Sequence, residues 1–143
     1  MRRITSYLFV LAAIAATVQS HGFLNVKQWK VSEGGNDHWY AVYDRYAQWV
    51  RADSLAKTLP PPLESGLSDS GYLATILSPE ENAFIRDSVL AGTDQQTPTD
   101  LVWIGASWRA DLGRWAWETG EEFQYAPWAV SEPNGYGIVP EVG

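Results

Sequence analysis

Residues 72–92 have the sequence YLATILSPEENAFIRDSVLAG, and this stretch decides the fold. Its apolar start, Tyr72 to Leu77, predicts a short strand. Ser78 is a good N-cap residue, Pro79 suits the first helical position, and Glu81 suits the third. A second element, a helix with apolar residues at Phe84, Ile85 and Val89, is therefore predicted to begin after Ser78 and to end near Gly92.

A hairpin and an earlier helix are predicted on the N-terminal side of this stretch. Near-alternating apolar and polar residues in 22–31 and 37–44 flank a Gly-rich turn, which indicates two paired strands. From Tyr46 the apolar residues fall three and four positions apart, which predicts a helix to about Leu59. Prolines at 60–62 stop that helix, and residues 63–70 are predicted to be a polar surface insertion.

The C-terminal side is rich in tryptophan and in turn-forming residues. Five of the eight Trp residues lie between Trp103 and Trp128, among Gly113, Gly120 and the sequence Pro133-Asn134-Gly135. Short strands joined by long loops are expected here. Two early helices and irregular late β structure predict an α+β domain, with Trp103 and Trp115 in its core.

Length and composition limit the function classes. The 143 residues suffice for one domain, and 45% of them are apolar, which is enough for a core. With no cysteine, the chain has no disulfide scaffold, thiolate zinc site or Cys nucleophile.

The first twenty residues have the pattern of an export signal. Arg2 and Arg3 precede an apolar run from Tyr7 to Val18, and small residues precede a predicted cut after Ser20. The run is shorter than the about 20 apolar residues that span a bilayer. We therefore predict a signal peptide at 1–20 and a secreted or cell-surface domain at 21–143.

Removal of the signal leaves a strongly acidic chain. Eight Lys and Arg then stand against 17 Asp and Glu, a formal charge of −9. Such a surface repels phosphate backbones, which argues against nucleic acid as a partner, and it suits cation binding.

Four motifs in a fixed order resemble the C-type lectin-like domain. They are the strand-to-helix segment 73–85, Trp103-Ile104-Gly105-Ala106, the Trp-rich segment 113–128, and Ser131-Glu132-Pro133-Asn134. The resemblance spans residues 36–135. It implies two helices, two small antiparallel sheets and a long loop that carries the ligand site.

Two departures from the family pattern are visible. The family's two disulfides have no counterpart here. The family's domain also continues beyond the Glu-Pro-Asn motif into a Trp-Asn-Asp strand and a closing strand that pairs with the first. Since the sequence ends at Gly143, we expect the C-terminal strands to be missing from it.

The candidate site lies around the Glu-Pro-Asn motif. Calcium prefers carboxylate and amide oxygen ligands, and Glu132 and Asn134 supply one of each. The resemblance implies that these two residues, with Glu141 nearby, hold calcium and a mannose-type sugar, and that the Pro133 bond is cis. Tyr136 is the expected aromatic contact to the ligand.

Other interpretations of the sequence remain open. Glu-Pro-Asn-Gly is also a common surface turn, and a lectin-like scaffold can bind a protein or another surface without calcium. A copper site at an N-terminal His21 would need a second His, and His38 is the only other one. Glu80-Glu81 is explained by helix-start electrostatics, Glu121-Glu122 by a solvated turn, and Asn82 by a buried hydrogen bond, so no enzyme is predicted.

Overall fold

The computed structural model describes residues 8–12, 23–43, 47–93, 102–130 and 132–133. Within them the chain forms one four-stranded and one two-stranded antiparallel sheet together with two α-helices, which confirms the predicted α+β architecture. The strands and helices are β1 (Leu8–Ala12), β2 (Phe23–Gln28), β3 (Trp39–Tyr43), α1 (Trp49–Ala56), β4 (Asp69–Leu73), α2 (Pro79–Phe84), β5 (Ala106–Arg109) and β6 (Arg114–Trp117).

The predicted N-terminal hairpin is confirmed. β2 and β3 pair antiparallel, and a short 3-10 helix, Val31–Glu33, forms the turn. Gly34 follows it with a φ of 83°, a left-handed conformation that favours glycine. The N–H of Trp29 then donates to the carbonyl of His38 at 2.9 Å and continues the pairing toward the turn.

The four-stranded sheet has the order β2-β3-β1-β4, so β1 lies inside the sheet. Its backbone pairs antiparallel with β3 on one side and with β4 on the other. The same residues belong to the predicted signal peptide, and cleavage after Ser20 stays a prediction. No helix within the described stretches has the length and apolarity needed to cross a bilayer.

The first predicted helix is present but shorter than the apolar period indicated. Gln48 has an extended backbone with ψ of 157°, so α1 begins only at Trp49. Ala52 and Ala56 are fully buried in a cluster with Leu73 on β4. Small side chains therefore let the helix lie close to the sheet.

The strand prediction for Tyr72 to Leu77 was wrong in its bounds, since β4 covers Asp69–Leu73. Beyond Leu73 the backbone leaves the sheet because other groups take its hydrogen bonds. The carbonyl of Ala74 accepts from the N–H of Gly105 at 2.9 Å, and the N–H of Leu77 donates to Glu81 at 2.7 Å. The segment 63–70, predicted to be a surface insertion, contains a 3-10 turn at Leu63–Ser65 and the first residues of β4.

The second predicted helix is confirmed with its cap. The hydroxyl oxygen of Ser78 accepts from the N–H of Glu81 at 3.1 Å, and Pro79 occupies the first turn. After Phe84 the helix continues as a π-helical turn over Ile85–Val89. Gly92 follows with a φ of 70°, the left-handed geometry expected after a helix end.

Gly105 joins the two sheets. A Cβ atom at this position would lie 2.5 Å from the carbonyl oxygen of Leu73, so only glycine fits. The N–H of Gly105 donates to the carbonyl of Ala74. The carbonyl of Gly105 accepts from the N–H of Glu118 at 2.8 Å. The backbone of residue 105 therefore ties the end of β4 to the end of β6.

Candidate functional site

The β5–β6 hairpin supports a group of stacked rings, here called the aromatic cluster. Ser107 lies opposite Ala116 and Trp108 opposite Trp115 in the hairpin register. The ring centroids of Trp115 and Trp128 are 5.2 Å apart, and those of Trp117 and Phe123 are 4.9 Å apart. The members of the cluster are Trp108, Trp115, Trp117, Phe123 and Trp128.

Ring packing, more than polar contact, holds this cluster. Nε1 of Trp115 and Nε1 of Trp117 are buried, and no described residue accepts a hydrogen bond from either. Trp117 belongs to the larger buried cluster, here called the main core, which also contains Tyr40, Val42, Ile85 and Val89. Trp128, in contrast, keeps 38% of its surface exposed. The cluster thus runs from the core to the surface.

The loop from Glu118 to Val130 is fastened to the body of the domain. The amide of Asn82 on α2 donates to the hydroxyl of Tyr125 at 3.4 Å. Phe123 and Tyr125 both pack against the main core. Asn82 is partly buried and hydrogen-bonded, as predicted, and its bond to Tyr125 positions the loop.

Glu132 and Pro133 lie directly beyond this loop. The N–H of Glu132 donates to the carbonyl of Ala129 at 2.9 Å and closes a turn. Both residues are half-buried, and the peptide bond between them is cis. Of the predicted site residues, the structure therefore places Glu132, while Asn134, Tyr136 and Glu141 lie outside the described residues.

Charge in this part of the chain is of one sign. From Trp115 to Gly143 the sequence has five carboxylates and no Lys or Arg. Glu118 accepts a hydrogen bond from Ser107 at 2.6 Å and Glu121 accepts one from Thr119 at 2.7 Å. An excess of carboxylates attracts metal ions. Among the described residues no three His, Cys, Asp or Glu side chains form a metal-binding group.

Sequence reasoning missed the role of Glu81. This side chain is 3% exposed and accepts hydrogen bonds from the Tyr40 hydroxyl at 2.5 Å, the Asn36 amide at 3.1 Å and the Leu77 N–H at 2.7 Å. Burial, followed by the bond to Glu81, raises the pKa of Tyr40. The predicted explanation for Glu81 was favourable electrostatics at the start of a helix. That explanation is incomplete, because the bond from Tyr40 to Glu81 also joins β3 to α2.

Trp103 and His38 have partners in other parts of the fold. Trp103 is partly buried and donates from Nε1 to the carbonyl of Ala47 at 2.8 Å, which agrees with a packing role. The ring of His38 lies 6.4 Å from that of Tyr40 in the N-terminal hairpin. His21, the other half of the copper interpretation, lies outside the described residues.

Comparison with known proteins shows which family this chain is similar to. The family model described as the lectin C-type domain matches residues 67–137. Snaclec B9 of Macrovipera lebetinus is 28% identical over 96 residues, which cover 67% of this chain and 57% of that protein. Lectin BRA-3 of Megabalanus rosa is 27% identical over 137 residues, which cover 95% of this chain and 70% of that protein.

A third similar protein is the type-2 ice-structuring protein of Brachyopsis segaliensis. It is 35% identical over 68 residues, which cover 48% of this chain and 35% of that protein. The chain spans little more than half the length of several curated relatives that it matches. No solved structure matches the chain at a significant level.

Proposed function

We propose that this chain, which contains a C-type lectin-like domain, binds carbohydrate rather than catalysing a reaction, and that the ligand is held at the Glu132-Pro133-Asn134 loop. The observation that carries the proposal is the position of Glu132. It lies at the end of a loop that is fastened to the core through Phe123 and Tyr125, four positions after the partly exposed Trp128. A loop that is held in place before the ligand binds loses less conformational entropy on binding.

Calcium fits the chemistry of these residues. The side chains of Glu132, Asn134 and Glu141 offer carboxylate and amide oxygens, the metal ligands that hard cations prefer. No Lys or Arg follows Arg114 in the sequence. When bound, the ion would supply coordination for neighbouring sugar hydroxyls. The Glu132 carboxylate and Asn134 amide would bond to those hydroxyls, and Tyr136 would pack against the ring. The order Glu then Asn supports a mannose-type sugar.

We further propose that the protein acts outside the cell after cleavage following Ser20. The basic start and apolar run of residues 1–20 support export. The absence of cysteine means that the fold does not depend on the redox state of its surroundings.

The test is a pair of substitutions at the loop. Glu132→Gln together with Asn134→Asp exchanges the positions of amide and carboxylate, and we expect glycan-array binding to move from mannose-type toward galactose-type sugars. The matched control is Glu122→Gln, which removes an exposed carboxylate from the same acidic segment. An unchanged array profile for the double variant would contradict the assignment.

The second candidate function is calcium-independent binding of a protein or another surface. Exposed apolar side chains favour it: Val130 is 98% exposed, and Leu112 and Trp128 are also on the surface. One similar protein is named for structuring ice. A chelator distinguishes the two functions. Ligand binding that persists in EDTA and is lost in the Trp128→Ala variant would support the calcium-independent function.

A further inference from the structure

We propose that the turn end of the β5–β6 hairpin binds the negatively charged group of an acidic sugar, a sulfate ester or a carboxylate, between Arg109 and Arg114. This inference rests on the carbohydrate binding proposed above and adds that the sugar carries a charge. The place of the charged group follows from the hairpin alone.

The register of the hairpin brings two arginines together. Arg109 ends β5, Arg114 begins β6, and the two residues lie directly opposite each other. Their Cβ atoms are therefore about 5 Å apart, and like charges in such a pair destabilise a hairpin. In the sequence beyond Arg86 these are the only two cations, among nine carboxylates. An anion held between the two guanidinium groups offsets their repulsion.

The guanidinium group of Arg114 is available to a ligand. Arg109 donates from Nε and Nη2 to the two oxygens of Asp111, at 3.1 and 3.0 Å. No described residue forms an ion pair or a side-chain hydrogen bond with Arg114. All residues from 109 to 114 are exposed. A planar guanidinium group matches two oxygens of a carboxylate or of a similar oxyanion, so Arg114 suits either charged group.

Polar oxygens lie on the same face of the hairpin. Side chains alternate along a strand, so Ser107 shares a face with Arg109, and its opposite residue is the small Ala116. Two residues of an antiparallel strand span about 6.8 Å, which one substituted sugar ring can bridge. The hydroxyl of Ser107 donates to Glu118 at 2.6 Å, and hydroxyl and carboxylate oxygens also accept from sugar hydroxyls. The face thus offers acceptors for the ring beside cations for the charged group.

The charge of the whole chain limits the size of the ligand. The full sequence has a formal charge of −7, which repels a long polyanion. A single charged group beside the arginines experiences mainly the nearest charges, because salt screens exposed charges beyond about 8 Å. We therefore commit to a sugar with one sulfate ester or one carboxylate.

The test is an NMR titration of the full chain in EDTA, with glucose that carries one sulfate ester and, separately, with glucuronate. The side-chain Nε–H signals of Arg109 and Arg114 report the contact, and we expect one of these sugars or both to shift the two signals. The sugar that binds more tightly identifies the charged group. Neutral glucose should shift neither signal, and the bare anion, inorganic sulfate or acetate, should bind more weakly than the matching sugar.

Substitutions separate the arginine pair from general charge. Arg114→Gln should weaken binding of the acidic sugar by about tenfold or more, because hydrogen bonds to a charged group are lost. Its thermal midpoint should equal or exceed that of the parent, since a like-charge pair is removed. Arg51→Gln, at an exposed arginine of α1, is the matched control and should bind as the parent does. Asp111→Asn should tighten binding, because Asp111 then no longer competes for Arg109.

Four results would overturn the proposal. They are the absence of a shift with either acidic sugar, equal losses in Arg114→Gln and Arg51→Gln, full affinity in Arg114→Lys, and a bare anion that binds as tightly as the sugar. Full affinity in Arg114→Lys would mean that charge alone attracts the ligand, without a two-point contact.

The test is independent of the sugar-binding test at Glu132. EDTA removes calcium from the assay, and the array test at Glu132 uses neutral sugars. A failure at Arg114 therefore leaves the array result standing, and an unchanged array profile leaves the effect of Arg114→Gln measurable.

Discussion

Tyr40 places a buried hydroxyl group against Glu81, and this makes stability sensitive to alkaline pH. The raised pKa of Tyr40 means that the unfolded chain loses its phenolic proton near the ordinary value of about 10, while the folded chain keeps it. The stabilisation is therefore complete below about pH 10 and is lost as the pH rises further, by up to about 1.4 kcal/mol per pH unit.

We expect Tyr40→Phe to flatten this alkaline loss, measured as the free energy of unfolding in urea from pH 8 to pH 11. Burial also raises the pKa of Tyr72, so Tyr72→Phe should flatten part of the slope and the double variant more of it. If Tyr40→Phe loses the same free energy as the parent over this range, the hydroxyl does not remain protonated in the fold.

Partners that lie close in the sequence could be predicted, and partners that lie far away in the sequence could not. Ser78 was identified as a cap because its partner, Glu81, lies three positions away. The bond from Tyr40 to the same Glu81 spans 41 positions, and no local pattern signals it. For Glu132, the motif predicted the loop, and the Trp128 contacts that support it appear only in the structure.

At the scale of elements, the start of α2 depends on one side chain. Ser78→Ala removes the acceptor for the N–H of Glu81, and loss of a cap costs about 1 kcal/mol. For a chain of this size we expect a midpoint lower by about 2–4 °C in a thermal melt.

Ser54→Ala is the matched control for this cap. Ser54 is exposed within α1, where alanine is a better helix former than serine. We expect its midpoint to equal or exceed that of the parent. Equal losses in the two variants would mean that the hydroxyl of Ser78 contributes nothing specific to the start of α2.

Elements whose signals lie close together in the sequence were predicted, and elements whose bounds depend on distant parts of the chain were not. The hairpin of β2 and β3 follows from its alternation and turn, and α2 from its cap. The end of β4 depends on Gly105. The N–H of Gly105 donates a hydrogen bond to the carbonyl of Ala74, which lies 31 positions earlier in the chain. Likewise, an apolar run such as Leu8–Ala12 is equally typical of a signal peptide and of a buried strand, so the sequence did not predict β1.

At the scale of the whole molecule, calcium should stabilise the fold if it binds as proposed. An ion that binds only the folded chain raises the free energy of unfolding by about 2.7 kcal/mol at a concentration 100 times its dissociation constant. We expect the thermal midpoint of the full chain to rise with calcium, to return with EDTA, and to respond far less to magnesium, which dehydrates reluctantly.

Glu132→Gln separates a specific calcium site from general screening of the acidic surface. Both effects stabilise an acidic protein, since cations weaken the repulsion among its carboxylates. Screening acts on all of them, so Glu132→Gln and Glu122→Gln should change the calcium response equally if screening is its only source. A specific site requires that Glu132→Gln abolish the midpoint shift and that Glu122→Gln preserve it. Equal shifts in both variants would leave the Glu132 loop without a calcium site and would favour the calcium-independent binding mode.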